Sequence, residues 1–345
     1  MFTVNQNDIS SILEDFGILS KVTDFTELQR YYYEKDDPGS KEVRLIIKVD
    51  LDNGQSLVVR FKNEDDVTLD TILAQSQFAK LLADQSIETP TAYMANGQYA
   101  QWYSINGYDV IVTVENFVDG ELQTVDEDLA EKTGSLLARM HNIAEEADFH
   151  VQNDVLFDPL KRNDLFSFQD FETQKDFLLA LDEALYNNIV QEYAHVFQKV
   201  RIFENEPRYA VQGDISDCNL YQTAEGRIGI FDFNRCGDNV LYYDAVMQAI
   251  FEARLMDYPK EIAGKQESII LSAFLKGYQK ERPFTKEQIE VFPYFYALVS
   301  AFWLSDMKWD ENSLCHAVET GDTETARQWM KEIYRRISSR PEMPL

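Results

Sequence analysis

About a third of the way along the 345-residue chain, the spacing of the apolar residues changes, and that change decides the fold class. Up to residue 116 the apolar positions alternate or fall in short blocks cut by turn residues. Residues 27–34, with Tyr31, Tyr32 and Tyr33, read as a strand. Asp36-Asp37-Pro38-Gly39-Ser40 is a turn, and residues 43–50 and 56–62 read as strands joined at Asp52-Asn53-Gly54. A short helix is expected over residues 7–16, and a longer one over residues 69–82 with Leu69, Ile72, Leu73, Phe78, Leu81 and Leu82 on its buried side. Strands over residues 99–104 and 108–116 follow, joined at Asn106-Gly107. Beyond Phe117-Val118-Asp119-Gly120 the spacing turns helical, over residues 126–143, 175–199 (with a break), 242–254, 261–280, 286–309 and 323–337. The expectation is an α+β chain. A small antiparallel sheet with one main helix forms an N-lobe, a larger C-lobe is mostly helical, and a ligand cleft lies between them.

One stretch inside the helical part breaks this pattern. Residues 211–236, VQGDISDCNLYQTAEGRIGIFDFNRC, contain two strand-like runs about a turn at Glu225-Gly226. Asp214 lies just before the first run, Asn219 follows, and Asp232 comes directly after Ile228-Gly229-Ile230-Phe231. An Asp, an Asn and a second Asp after a short hairpin are what phosphoryl transfer needs. One carboxylate accepts the proton of the acceptor hydroxyl, while an amide oxygen and the other carboxylate hold Mg²⁺ against the nucleotide phosphates.

The charge limits the partners. With 60 acidic and 32 basic residues the formal net charge is −28, which argues against nucleic acid and anionic membrane, since both require a cationic face. ATP is also an anion, so a chain this acidic needs local Lys or Arg and a metal to hold it. No run approaches the ~18 apolar residues of a membrane span. The first residues lack a basic segment followed by an apolar one. Three cysteines without CxxC spacing fit a reduced, cytoplasmic protein without structural zinc.

Gln212-Gly213-Asp214 through Asn219, followed by Ile230-Phe231-Asp232, resembles the signature of the aminoglycoside phosphotransferase and choline kinase-like family. Val114 to Gly120 looks like the linker of that family, Leu136-Leu137-Ala138-Arg139-Met140-His141 like its LxxLH helix, and Tyr243-Asp244-Ala245 like its step after the metal Asp. Phe274-Leu275-Lys276-Gly277-Tyr278 through Arg282-Pro283-Phe284-Thr285 is similar to a segment of the homoserine kinase type II-like branch. The resemblance implies a bilobal protein kinase-like fold. Residues 1–115 would be the nucleotide-binding N-lobe, 116–121 a hinge linker, and 122–345 the C-lobe with the catalytic and metal loops and the acceptor site. It implies Asp214 as the catalytic base, Asn219 and Asp232 as Mg²⁺ ligands, and ATP as donor. The acceptor would be a small alcohol that is amine-bearing in many relatives (aminoglycoside, choline or homoserine-like), and the protein a monomer or homodimer. A competing reading is a weakly active or inactive nucleotide-binding regulatory protein of the same fold.

Several positions depart from the family pattern. Gln212 stands where a His precedes Gly-Asp, and its amide can also donate and accept. The phosphate lysine is matched by Arg60, with Lys62 on the same strand face as the alternative. The acidic helix partner of that lysine is matched by Gln75, or by Gln77 if the register slips, so an Arg–Gln pair replaces a Lys–Glu pair. The first hairpin offers Ser40 and the Gly39 amide to a phosphate without a glycine-rich motif. The adenine would lie against backbone groups of Glu115, Phe117 and Val118. His141 reads as a helix contact and Asp244 as a helix cap. Phe302, Trp303, Asp306 and Trp309 read either as a core stripe or as an aromatic wall with one carboxylate, suited to an amine.

Overall fold

The computed structural model describes all residues except Arg162, Asp164 and Ser216, together with the side chain of Asp217. In chain order the first elements are α1 (Gln6–Asp15), β1 (Val22–Arg30), β2 (Val43–Leu51), β3 (Ser56–Asn63), α2 (Leu69–Asp84), β4 (Ala100–Ile105) and β5 (Tyr108–Asn116). Next come α3 (Glu127–Glu146), α4 (Phe168–Thr173), α5 (Lys175–Val200), β6 (Arg208–Val211), β7 (Leu220–Gln222), β8 (Ile228–Ile230) and β9 (Gly237–Val240). The chain ends with α6 (Leu241–Leu255), α7 (Gln266–Glu281), α8 (Lys286–Ala301), α9 (Leu314–Thr320) and α10 (Thr323–Ile337). They divide into two compact units. One comprises Met1–Leu122, Glu146–Asn153 and Cys218–Gly237; the other comprises Gln123–Glu145, Asp154–Asp217 and Asp238–Leu345.

The first unit is built on a five-stranded antiparallel sheet in the order β1-β2-β3-β5-β4. Period-two alternation assigns its faces. Leu45, Ile47, Leu57, Val59, Phe61, Val110, Val112 and Val114 point to one side, where Phe2, Ile9, Ile12 and Leu13 cover them. An Asn5–Asp8 capping box starts α1 and so sets the residues that meet the sheet. On the opposite face α2 lays Ile72 against Ala100 and Ile111. Arg60 and Lys62, displaced from the core positions by one residue, must therefore share that second face.

The first strand lies earlier than the tyrosine run suggested. It ends at Arg30, and Tyr33–Lys35 form a 3₁₀ turn. The tyrosines instead serve charged neighbours: the Tyr33 hydroxyl donates to Glu64, and the Arg44 guanidinium lies 4.6 Å from the Tyr31 ring centre. Residues 218–237 complete this unit with a small hairpin in which β7 and β8 pair antiparallel, Leu220 opposite Ile230.

The second unit is helical, with a two-stranded β6–β9 ribbon. Helices α3 and α7 cross at two glycines. A Cβ on Gly134 would stand 2.0 Å from the Phe274 carbonyl oxygen, and one on Gly277 would stand 1.9 Å from that of Glu131. The expected break in the long helix falls at Asp182, which leaves helical geometry at φ −162° and ψ 89°. The helix expected over residues 286–309 stops at Ala301, because Phe302 adopts φ −119° and ψ 29°, and a π turn over Ser305–Trp309 follows. Short helices α4 and α9 were not legible in the sequence: each offers two turns or fewer of periodicity. No helix of the described residues is long and apolar enough to cross a membrane.

Candidate active site

The sheet supplies two cations. Arg60 lies opposite Thr113 and Lys62 opposite Ile111 on the neighbouring strand β5, and Glu115 lies opposite Val58. Arg60 and Val58 are two positions apart on one strand, so the Glu115 carboxylate sits on the same face as the Arg60 guanidinium, and the two form an ion pair. Against the desolvation of its burial, the carboxylates of Glu115 and Asp232 hold the Arg60 guanidinium above its ordinary value. Its Nε is buried without a partner.

Lys62 has different company. Its ammonium donates to the Asn234 side-chain oxygen, and the residue is 6% exposed. Burial lowers its pKa to about 8, opposed by the Asp232 carboxylate, which favours the charged form.

Gln75 does not pair with Arg60. It lies on the buried stripe of α2 between Ile72 and Phe78, whereas Gln77 is exposed. Its Nε2 donates to the Asn234 and Cys236 carbonyl oxygens, each at 3.1 Å. The anticipated Arg–Gln pair gives way because a buried guanidinium is better served by a carboxylate, and Glu115 is within reach. The effect of Gln75 is to tie α2 to the loop after β8. Asn153 donates to the same Cys236 oxygen at 3.1 Å. Arg60, Lys62, Gln75, Glu115, Phe233 and Asn234 line a narrow cavity of about 60 Å³, room for a water or two and too small for a purine.

The two expected metal ligands are brought together by the small hairpin. Asn219 immediately precedes β7, and its carbonyl accepts the Phe231 amide at 3.0 Å. Asp232 therefore follows directly after the residue bonded to Asn219. Asp232 has φ +57°, a left-handed conformation that costs a non-glycine residue about 1–2 kcal/mol. Its Oδ1 accepts the Asn234 amide at 3.1 Å, which stabilises the turn. Gly229, between them, has no room for a side chain: a Cβ there would meet the Tyr221 ring at 2.3 Å. An amide oxygen and a carboxylate are hard donors that suit Mg²⁺, which commonly takes one or two protein groups and completes its shell with phosphate and water. Among the described residues no cluster of three or more His, Cys, Asp or Glu could hold a metal alone.

The linker and first hairpin use much of their own hydrogen-bonding capacity. The Asn116 amide donates to Thr91 O and the Phe117 amide to Ser56 O, both at 2.9 Å, and the Lys48 ammonium lies 4.7 Å from the Phe117 ring centre. Among the described residues the Val118 amide and carbonyl have no partner. The Gly39 and Ser40 amides donate to Asp37, and Ser40 Oγ accepts the Glu42 amide.

Asp214 belongs to the helical unit. It follows β6 and Gly213, which has φ +83°. The side-chain oxygen of Gln212, fully buried, accepts the Asp214 amide at 2.8 Å, which fixes the backbone of this loop. The next amide, that of Ile215, donates to Gln248 Oε1 on α6 at 3.2 Å. Gln248 carried no signal in the sequence, lying mid-helix among apolar residues, and its contact is 33 residues away along the chain.

Deeper in that unit His141 bridges Tyr278 Oη at 2.8 Å and Asp244 Oδ2 at 3.0 Å, all three fully or almost fully buried, as a helix contact rather than a catalyst. Asp244 caps nothing; it sits in the first turn of α6 and serves His141. The stripe of residues 302–309 does not form one wall. Phe302 is core, packed on Phe168, Phe171 and Tyr193, while Trp309 is 55% exposed. Trp303 is covered by the Arg254 guanidinium at 5.0 Å, and Asp306 is paired with Arg336.

This α+β architecture is the protein kinase-like fold. The chain belongs to the phosphotransferase enzyme family: the profile of that family, APH, matches residues 44–284. It is accordingly a phosphotransferase with an alcohol group as acceptor, a kinase. Among solved structures it is similar to an amicoumacin kinase in complex with AMP-PNP, Ca²⁺ and Ami, at 16% identity and TM-score 0.56, covering 95% of this chain and 94% of that one. A microcompartment-associated aminopropanol kinase aligns at 14% identity and TM-score 0.55, over 95% of both chains. An aminoglycoside phosphotransferase from Alicyclobacillus acidocaldarius subsp. acidocaldarius DSM 446 aligns at 11% identity and TM-score 0.54, over 98% and 97%. At these identities the likeness is one of fold. No match is found among curated protein sequences.

Proposed function

We propose that the chain is an ATP-dependent small-molecule kinase that transfers the γ-phosphoryl group to the hydroxyl of a small, amine-bearing alcohol. The observation that carries this reading is the β7–β8 hairpin, which bonds Asn219 to the residue before Asp232 and holds Asp232 in a left-handed conformation. A strained, braced carboxylate one residue from a backbone bond to Asn219 is an arrangement that a metal–phosphate site would retain despite its conformational cost. A similar kinase was solved with AMP-PNP and Ca²⁺, which supports a nucleotide and a divalent ion here.

In this reading Asn219 and Asp232 hold Mg²⁺, which neutralises charge on the phosphates when bound. Lys62, whose ammonium donates to Asn234 two residues past Asp232, meets a phosphate oxygen, while Arg60, which also feels the Asp232 carboxylate, is paired with Glu115 and braces the sheet. Val118 offers backbone groups to the base. Asp214 orients the acceptor hydroxyl and accepts its proton, held by the Gln212 and Gln248 contacts to consecutive amides. Positioning and charge neutralisation supply the rate enhancement. Residues 1–115 act as the nucleotide-binding lobe, 116–121 as the hinge and 122–345 as the acceptor lobe.

The test is phosphate transfer from ATP with Mg²⁺ to a panel of amino alcohols, aminoglycosides and sugars. Asp214→Asn should abolish turnover and leave nucleotide affinity within a few-fold, whereas Asp232→Asn should lose both. Turnover at the native rate by Asp214→Asn removes that residue from the role. Failure of every acceptor, with nucleotide still bound, favours the regulatory alternative.

A further inference from the structure

The five-stranded sheet has two edges, and they are finished differently. β1 forms one of them. Its register with β2 breaks between Val22 and Asp24 and again between Glu27 and Gln29, and it carries the charges of Asp24, Glu27 and Arg30. Bulges and charges are the devices that keep an edge strand from pairing with another chain. β4 forms the other edge and has neither. Its sequence, AQWYSI, holds no charge and no proline, and its register with β5 runs unbroken from Ala100 to Ile105.

The turn after β4 fixes which of its backbone groups face outwards. Asn106 and Gly107 both have positive φ, as a two-residue hairpin turn requires, so Ile105 and Tyr108 form a hydrogen-bonded pair. Alternation then directs the N–H and C=O of Tyr103 and Gln101 towards β5, and those of Ser104 and Trp102 away from the sheet. Ser104 and Trp102 are both exposed, and among the described residues no turn or loop bond reaches either backbone.

The side chains along this edge are open as well. Trp102 is 50% exposed and stands on the α2 face, opposite Ile111 and two residues from Ala100. Among the described residues no cation lies over its ring. Val67 and Leu69 pack on the same Ala100–Ile111 cluster, and Asp65, Asp66 and Asp70 stand beside them in the chain. Asp109, opposite Ser104 and two residues from Ile111, accepts the Ser104 hydroxyl on that face. Among the described residues none of these four carboxylates has an ion-pair partner. Lys41, near the turn, is engaged instead by the Gly107 carbonyl at 3.4 Å and by the Tyr108 ring.

An unpaired edge is a template for strand addition, in which backbone hydrogen bonds give affinity and alternate side chains give selectivity. Charge selects the partner here. Pairing β4 with β4 of a second copy brings two sets of unpaired carboxylates together, in a chain of net charge −28. A basic strand meets the opposite condition. Its residues on the α2 face meet the aspartates and the open Trp102 ring, and those on the other face lie beside Gln101 and Tyr103.

We propose that β4 is a docking edge for an extended segment of another protein, with basic and β-branched residues in alternation, which adds to the sheet as a further strand. The edge stands apart from the phosphotransfer reading, in which none of these residues holds nucleotide, metal or acceptor, and it is tested by binding alone.

The experiment is titration of the full chain, without nucleotide, with a peptide of about eight alternating lysine and valine residues, the length of a strand. The controls are the same peptide with glutamate for lysine, and with proline for its central valines. The lysine–valine peptide should bind with Kd below about 100 μM and both controls at least about tenfold more weakly. Hydrogen exchange should slow at the Trp102 and Ser104 amides. Ser104→Pro removes one outward N–H at a place where an edge strand tolerates proline, and Asp66→Lys with Asp70→Lys reverses the local charge. Each change should weaken the peptide by about tenfold or more. Thermal unfolding checks the fold, and the charge variant, at exposed positions, preserves the test if Ser104→Pro unfolds. Absence of binding overturns the proposal. So does equal binding of the proline-interrupted peptide, which reports charge alone, or protection that falls outside β4, or affinity unchanged in the folded variants. A dimer that excludes the peptide and is lost in Ser104→Pro also overturns it, and assigns the edge to a second copy.

Discussion

The Lys62 ammonium donates to the side-chain oxygen of Asn234, two residues beyond Asp232, while the neighbouring Arg60 guanidinium is paired with Glu115. Two cations on one strand face therefore have different partners, the loop after β8 for Lys62 and a strand carboxylate for Arg60. Lys62→Met should lower kcat/KM for nucleotide by roughly 10–100-fold, the loss of one charge-assisted contact. Arg60→Lys should cost less. Steady-state kinetics on both variants checks the order, and a larger loss in Arg60→Lys sinks the assignment.

Lys62 also sets a pH dependence. Its folded-state pKa of about 8 lies below the ordinary 10.5, so between those values the unfolded chain holds the extra proton. Its contribution to stability accordingly rises as pH goes up through that window. Nucleotide binding should act in the opposite direction: a phosphate favours the ammonium, so binding takes up a proton near and above pH 8 and affinity falls as pH rises through that value. The binding enthalpy at about pH 8.5 should then vary with buffer ionisation enthalpy, and this variation should vanish in Lys62→Met. Buffer-independent heats in the native protein would exclude the effect.

Glu115→Gln should destabilise the sheet unit by roughly 1–3 kcal/mol. The value falls below the ~3–5 kcal/mol of a fully buried pair because Glu115 keeps some exposure. The Arg60 guanidinium, with a buried Nε that has no partner among the described residues, would keep only the Asp232 carboxylate as a compensating charge. Urea unfolding measures the loss, and the double variant Arg60→Met/Glu115→Gln should recover part of it.

Gln248→Leu should reduce turnover about tenfold or more with little change in nucleotide KM, because it releases the Ile215 amide next to Asp214. Gln248→Glu keeps an acceptor at the same place and should retain more activity. A parallel loss in both variants, tracking thermal stability, would make the role merely structural.

Gly277→Ala should lower stability by about 1–3 kcal/mol or more, since a Cβ would stand 1.9 Å from the Glu131 carbonyl oxygen and force α3 and α7 apart. Thermal unfolding is the measurement, and an unchanged midpoint would show that the helices can separate without loss.

The sequence by itself determined the fold class and singled out Asp214, Asn219 and Asp232 as the candidate trio. Both rest on local rules: the period of apolar residues, and the placement of polar residues at the ends of short strands. It also put Arg60 and Lys62 on one face, since alternation in a strand is local. The tertiary structure alone decided how those cations are used. Glu115 lies 55 residues from Arg60, Asn234 lies 172 from Lys62, and the carbonyls bonded by Gln75 lie 159 and 161 away. The same limit applies to residues 302–309, whose spacing left a core stripe and an aromatic wall both open. Arg254 and Arg336, brought in from α6 and α10, cover Trp303 and pair Asp306. Spacing along a chain sets the side a residue faces. Which charge meets it there depends on the packing of distant segments, and burial makes that choice costly to change.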